Sequence, residues 1–178
     1  MTIVVNLFAG PGTGKSTTAA ALFAELKYEG ITTELASEYA KDKVWENSLD
    51  VLSNQIYIFG KQHHRIHRLL NKVEVVITDC PLILTLWYGR HHGEKLGELV
   101  LNEHNKLNNF NVFLQRAKLY NPAGRLQTES EARDIDGQLR KILTDNNIQI
   151  HHDEVANREV VYHIKYKVMK QLGVNYEF

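Results

Sequence analysis

The sequence predicts an α/β domain, a parallel five-stranded sheet with helices on both faces. Three observations predict it. An apolar run, Ile3-Val4-Val5-Asn6-Leu7-Phe8, feeds a glycine-rich turn that opens a helical pattern. The β-branched run at 73–78 suits a strand buried on both faces. Strand and helix signals then alternate to the end, the signature of right-handed βαβ crossovers. With 178 residues, 43% of them apolar, the chain suffices for one such domain with one substantial core, and residues 1–178 are read as a single unit.

The elements follow in order. After the first strand, residues 15–29 carry Ala19, Leu22, Phe23 and Leu26 at helical spacing, and Gly30 supplies a stop signal. Residues 31–37 read as a short strand that ends at Glu38-Tyr39. Residues 50–70 form one long helical pattern, with Leu52, Ile56, Phe59 and Ile66 near one face. The strand at 73–78 ends at Asp79, and Pro81 is expected to start a helix. A helix over 94–107 precedes a fourth strand at 111–114. The polar stretch 115–128, rich in Arg, Lys, Asn, Pro and Gly, reads as a mobile loop. A helix over 129–143, capped by Thr128 or Ser130, a fifth strand at 148–151 and a last helix over 156–172 complete the chain.

Composition narrows the function. Lys plus Arg and Asp plus Glu both number 21, so no global field favours a nucleic-acid polymer, and a DNA-binding role needs a local basic patch. The single cysteine, Cys80, excludes an intrachain disulfide framework and suits a reducing compartment. The apolar start is too short for a signal peptide and lacks a basic lead, and no stretch is long enough to span a bilayer. The expectation is a soluble, cytoplasmic protein.

The stretch Ala9-Gly10-Pro11-Gly12-Thr13-Gly14-Lys15-Ser16 carries the chemistry. A strand entering a glycine-rich turn that opens a helix aims backbone N–H groups and the positive end of the helix dipole at one spot, which suits a polyphosphate. Gly12, Thr13, Gly14, Lys15, Ser16 and Thr17 are the expected nucleotide-binding residues, with Lys15 reaching the β/γ-phosphates and Ser16 ligating Mg²⁺. Ala9 stands at the first position of the usual G-x-x-x-x-G-K-[ST] pattern. The expected architecture is therefore the three-layer P-loop NTPase fold.

Three large classes use such a cradle: GTPases, motor ATPases and kinases. The late strands lead into Gln115-Arg116-Ala117-Lys118 and His151-His152-Asp153-Glu154, with no Asn-Lys-x-Asp segment to read guanine. Asp79 is followed by Cys80-Pro81, without the second carboxylate a motor ATPase uses to orient water. A kinase needs a lid that shields the γ-phosphoryl group and neutralises charge, and Arg116, Lys118, Arg125 and Arg133 lie within or beside a candidate lid at about 115–130. Ligands gather at the carboxyl ends of parallel strands, where Glu38 and Asp79 stand. Asp79 is assigned with Ser16 to the Mg²⁺ shell, and Glu38 to the acceptor hydroxyl as base or hydrogen-bond acceptor. Lys15, Glu38, Asp79, Arg116 and Arg125 are thus the expected catalytic residues. Gln55, Phe59 and Gln62 on the long helix, with Tyr39 as an aromatic wall, are the expected acceptor contacts.

With these residues in this order, the chain resembles the nicotinamide-riboside-kinase-like branch of small P-loop kinases and the small ATP-binding kinases that many tailed bacteriophages encode. Ser37-Glu38-Tyr39-Ala40 is the most particular match after the P-loop. The resemblance implies ATP, Mg²⁺ and a small-molecule nucleoside or nucleotide acceptor. Two readings compete with it. One is a kinase of 5-hydroxymethyl pyrimidines in DNA, for which Lys61, His63, His64, Arg65, His67 and Arg68 form a basic helix segment. The other is a non-kinase ATPase or nucleotide-sensing switch. His63 and His67 are four apart on a helix, but a zinc site needs further ligands that the neighbouring sequence does not supply.

Overall fold

A computed structural model describes residues 1–117, 121 and 128–174. Five parallel strands form one sheet in the order β2-β3-β1-β4-β5. They are β1 (Ile3–Phe8), β2 (Thr33–Leu35), β3 (Val75–Thr78), β4 (Asn108–Gln115) and β5 (His152–Val155). The helices are α1 (Lys15–Tyr28), α2 (Tyr39–Trp45), α3 (Gln55–His67), α4 (Leu84–Tyr88), α5 (Glu94–Asn105), α6 (Glu129–Asp145) and α7 (Arg158–Gln171).

Alternation along the central strand splits the core in two. Ile3, Val5 and Leu7 face a layer in which Leu22 and Leu26 of α1 meet Val160, Ile164 and Val168 of α7. Val4 and Phe8 face the other way, onto Phe59 and Ile66 of α3, Val100 of α5 and Leu139 of α6. A half-apolar sheet would expose one of these sets, so helices must cover both faces. On the first face the buried Lys165 ties α7 to α1 through Glu25 at 3.0 Å and Glu29 at 2.8 Å. Asn6 interrupts the apolar β1 and is satisfied across the sheet, its amide donating to Asn109 at 2.8 Å and Asn111 at 3.0 Å.

Several local expectations are corrected. The strand expected to end at Glu38-Tyr39 stops at Leu35, and Tyr39 opens a helix, α2, over 39–45 that the sequence does not announce because seven residues are too few for a periodic signal. The long pattern at 50–70 divides, because a 3₁₀ turn over Leu49–Ser53 precedes α3, and the Asn54 side chain caps α3 by accepting from the Tyr57 N–H. Pro81 does not start a helix. It opens a tight turn in which Leu84 N–H bonds Pro81 O, and α4 begins at Leu84. The fifth strand lies at His152–Val155 and not at 148–151. Ile148 and Ile150 are apolar because they pack against the α6 layer, while the edge strand itself is polar and half exposed. At the start of α6, Thr128 and Glu131 make a reciprocal capping box.

His104 of α5 is almost fully buried, and its Nδ1 has no hydrogen-bond partner among the described residues. Burial disfavours the imidazolium and lowers the pKa from the ordinary 6.5 to about 4. Between these two values only the unfolded chain takes up the proton, so stability falls as pH drops through that window and levels off below it. Urea unfolding at pH 7 and pH 5 should show the wild type losing roughly 2 kcal/mol more than His104→Leu over that interval. Equal losses would show that His104 does not govern the acid response.

Candidate active site at the carboxyl ends of the strands

The chain leaves β1 at Phe8 and turns through the glycine-rich loop into α1. Gly14, the residue before α1, has φ 113°, and Gly12 has φ 81°, conformations that side chains with a Cβ rarely adopt. Gly10 is required for a different reason. A Cβ there would lie 2.5 Å from Ala132 O and 2.9 Å from an Asp136 carboxylate oxygen, because α6 packs directly on the loop. Thr13 turns its hydroxyl back onto Gly10 O at 3.1 Å. Lys15 arches over the loop and donates to Ala9 O at 2.8 Å and Gly10 O at 3.0 Å. Burial lowers its pKa, and the nearby Glu38 and Asp79 oppose that shift. An anion placed in the loop would add to that opposition and favour the ammonium form. Ser16 and Thr17 stand exposed at the start of α1.

Asp79, just past the end of β3, is 5% exposed and joins two segments. One oxygen accepts from the Ser16 hydroxyl at 2.6 Å, and the other accepts from the Glu38 N–H at 2.9 Å. The expected metal ligands are therefore in contact. An all-oxygen pair of hydroxyl and carboxylate suits a hard cation such as Mg²⁺. Glu38 ends the β2 connection in extended backbone at the start of α2. Next to it, Cys80 has its thiol pushed well above its ordinary pKa by burial, with Glu38 and Asp79 adding to the effect.

A cavity of about 380 Å³ opens from the loop between α2, α3 and α4. Gly12, Gly14, Lys15, Ser16, Thr17 and Glu38 line one end. Lys41, Val44, Leu52, Gln55, Ile58, Leu84 and Tyr88 line the rest. The expected acceptor residues divide here. Gln55 and Gln62 line the cavity, but both amides also serve the fold. Gln55 Nε2 bonds Leu52 O at 2.7 Å, while Gln62 accepts from the Tyr39 N–H at 3.0 Å and donates to Ala36 O and Thr78 Oγ1, both at 3.3 Å. Phe59 and Tyr39 are corrections. Phe59 points into the core against the sheet and does not line the cavity. The Tyr39 ring turns outward to a shallower cleft, where its hydroxyl meets that of Tyr57 at 2.9 Å. Only its backbone N–H faces inward, because the residue opens α2.

Arg116 follows β4 and is held firmly. Its Nε meets Asp136 at 2.7 Å, Nη1 bonds Pro11 O at 2.6 Å, and Nη2 bonds Ala132 O at 3.0 Å. Asp136 in turn accepts from the Gly10 N–H. The pair braces both strands of the loop entrance from α6. Asp136 was missed in the sequence, where it reads as an ordinary polar position of an amphipathic helix. Its signal was Gly10, the extra glycine ahead of the motif core. Arg133 pairs with Glu129 on the exposed side of α6. Arg125 and Lys118 lie outside the described residues, as does most of the expected lid.

The basic helix segment is partly committed as well. Arg65 bonds Ser37 O at 2.9 Å and pairs with Asp42 at 2.5 Å, fixing α2 to α3. The His63 and His67 rings stack at 5.5 Å, and His63 contacts Glu103. Among the described residues no three His, Cys, Asp or Glu side chains converge as a metal group. No helix among them is long and apolar enough to cross a membrane.

Sheet order, loop and strand-end carboxylates together define an α/β nucleotide-binding domain of the P-loop class. Residues 4–159 match the family described as AAA domain, and the chain belongs to that family. Among solved structures it is similar to a NadR protein in complex with NR, with TM-score 0.73 and 15% identity over 99% of this chain. The chain spans 52% of that NadR chain. It is also similar to a shikimate kinase from Bacteroides thetaiotaomicron, with TM-score 0.51 and 13% identity, covering 96% of this chain and 98% of that one. A search of curated proteins found no match.

The brace generates a graded test. Asp136→Asn keeps an acceptor for Gly10 but loses the charge that holds Arg116, and Asp136→Ala loses both. Nucleotide affinity, read by titration with a fluorescent ATP analogue, should fall about tenfold in the first variant and further in the second. Native affinity in both would detach the brace from nucleotide binding.

Proposed function

We propose that the protein is an ATP-dependent phosphotransferase that moves the γ-phosphoryl group to a small nucleoside or nucleotide acceptor. The observation that carries this reading is the Ser16–Asp79–Glu38 connection, which sets a second carboxylate beside the phosphate loop at the mouth of a cavity that continues past it. A simple ATPase needs space for a water molecule; this cavity extends between three helices and has apolar walls. The two similar structures, a NadR protein holding NR and a shikimate kinase, carry small-molecule names that agree with it.

The roles follow from position. Backbone N–H groups of 12–17 and Lys15 hold the triphosphate, and Lys15 exchanges its two carbonyl partners for phosphate oxygens. Ser16 and Asp79 would hold Mg²⁺, which when bound neutralises charge on the β/γ-phosphates. Glu38 accepts the acceptor's hydroxyl proton as that oxygen attacks. Arg125, with Lys118 and Arg133, would close over the phosphates as a lid. The loop after β5 packs beside Gly14, where Ala156 Cβ lies 3.5 Å from a Cβ built there, and would border the adenine. The resemblance to phage-encoded kinases supports a role in nucleotide metabolism of that kind, and the single cysteine suits a reducing cytoplasm. A DNA-directed kinase is disfavoured by the internal commitment of Arg65.

Labelled transfer from γ-³²P ATP tests the reading against nucleosides, nucleoside monophosphates, nicotinamide riboside, shikimate, and plain and hydroxymethylated DNA. Label should appear on a small acceptor, and free phosphate alone would replace the kinase with an ATPase. Lys15→Ala should cut transfer by orders of magnitude. Glu38→Gln should lower kcat about 100-fold or more while the KM for ATP stays within about threefold. Parallel loss of both would remove Glu38 from the acceptor side.

A further inference from the structure

The charges of α2 are not all alike. Asp42 pairs with Arg65, and Lys43 pairs with Glu46. Lys41 is half-buried, lines the cavity, and has no carboxylate or hydrogen-bond partner among the described residues. Among the described residues, three charged side chains line the cavity: Lys15, Glu38 and Lys41. Lys15 lies on the phosphate loop and belongs to the transferred group. Glu38 serves the attacking hydroxyl. Lys41 is then a cation with no role in the nucleotide half of the site, and its long side chain loses rotamer freedom in a cavity wall without a protein anion to offset the cost.

We infer that Lys41 recognises an anionic group on the acceptor, so that the acceptor is a hydroxyl compound bearing a phosphate or carboxylate and not a neutral nucleoside or a cation. This rests on the phosphotransferase reading and sharpens it. Chain position supports the pairing. Glu38 immediately precedes α2, Lys41 stands three residues later in the first turn of that helix, and both side chains line the same cavity. One acceptor can therefore offer its hydroxyl to Glu38 and its anion to Lys41. Val44, Leu52, Ile58 and Leu84 supply apolar wall for the acceptor's carbon skeleton. In the transfer, the acceptor oxygen forms a bond to the γ-phosphorus, the bond to the bridging β–γ oxygen breaks, ADP leaves, and the hydroxyl proton passes to the Glu38 carboxylate.

Lys41→Ala and Lys41→Glu separate this assignment from a structural role. With wild type, transfer to thymidine monophosphate, adenosine monophosphate or shikimate should exceed transfer to thymidine, adenosine and nicotinamide riboside. The KM for the preferred anion should rise about 10- to 100-fold in Lys41→Ala and further in Lys41→Glu, with the KM for ATP unchanged within about twofold. A phosphate acceptor and a carboxylate acceptor are told apart by which member of the panel takes label. Preferred transfer to a neutral or cationic acceptor overturns the proposal, as does an anion whose KM ignores Lys41. If no acceptor takes label, calorimetry with ADP and Mg²⁺ decides. Lys41-dependent binding of thymidine monophosphate or shikimate would uphold the anion site while the kinase reading fails, and absence of such binding would overturn the anion site itself.

Discussion

Asp79 is the constraint on which the site depends. It stands at the end of a fully buried strand, where a carboxylate without partners would be costly, and it meets that cost by accepting from Ser16 and from the Glu38 backbone. Those two bonds fix the start of α1 relative to the end of the β2 connection. The phosphate loop and the cavity beside it are consequently one connected unit. Gln62 extends the same unit outward, since a single amide connects α2 at Tyr39, the β2 end at Ala36 and the β3 end at Thr78.

The sequence disclosed what repeats and what is rare. The parallel sheet was legible because each buried strand is a β-branched or aromatic run, and the loop was legible because its glycines and Lys15 occur in a fixed local order. Asp79 and Glu38 could be found because strand ends in such sheets are where ligands meet. The failures share a cause. Phe59 was assigned to the acceptor by stripe arithmetic and Tyr39 as an aromatic wall from its place at a strand end, and neither kind of reasoning says what packs against the ring. The helix at 39–45 is too short to announce itself, and it decides which way Tyr39 points. Ile148 and Ile150 imitated a strand because alternate burial against one helix layer has the same period as a pleat.

Arg116 shows why a basic residue near a phosphate site is not automatically a phosphate ligand. From the sequence it belongs to a run of cations after β4; in the fold it is nearly buried and paired with a carboxylate that also holds Gly10. Withdrawing it would leave Asp136 without its ion pair and Pro11 O without its donor, a loss that a phosphate contact would have to exceed. Arg116 is a positioning residue for the loop backbone in this conformation.

The cations around the cavity thus fall into two groups by what holds them. Arg65, Lys43 and Arg116 are held by carboxylates, whereas Lys15 rests on two neutral carbonyls and Lys41 on no partner among the described residues. A carbonyl is a weaker partner for an ammonium than a phosphate oxygen, so a polyphosphate displaces it at little cost, while a carboxylate ion pair resists the exchange. The two lysines that line the cavity are therefore those whose present partners are weakest, and the Glu38 carboxylate lines the same cavity with them. That arrangement suits a reaction with two anionic participants, a nucleotide entering over the loop and an acceptor entering beneath α2.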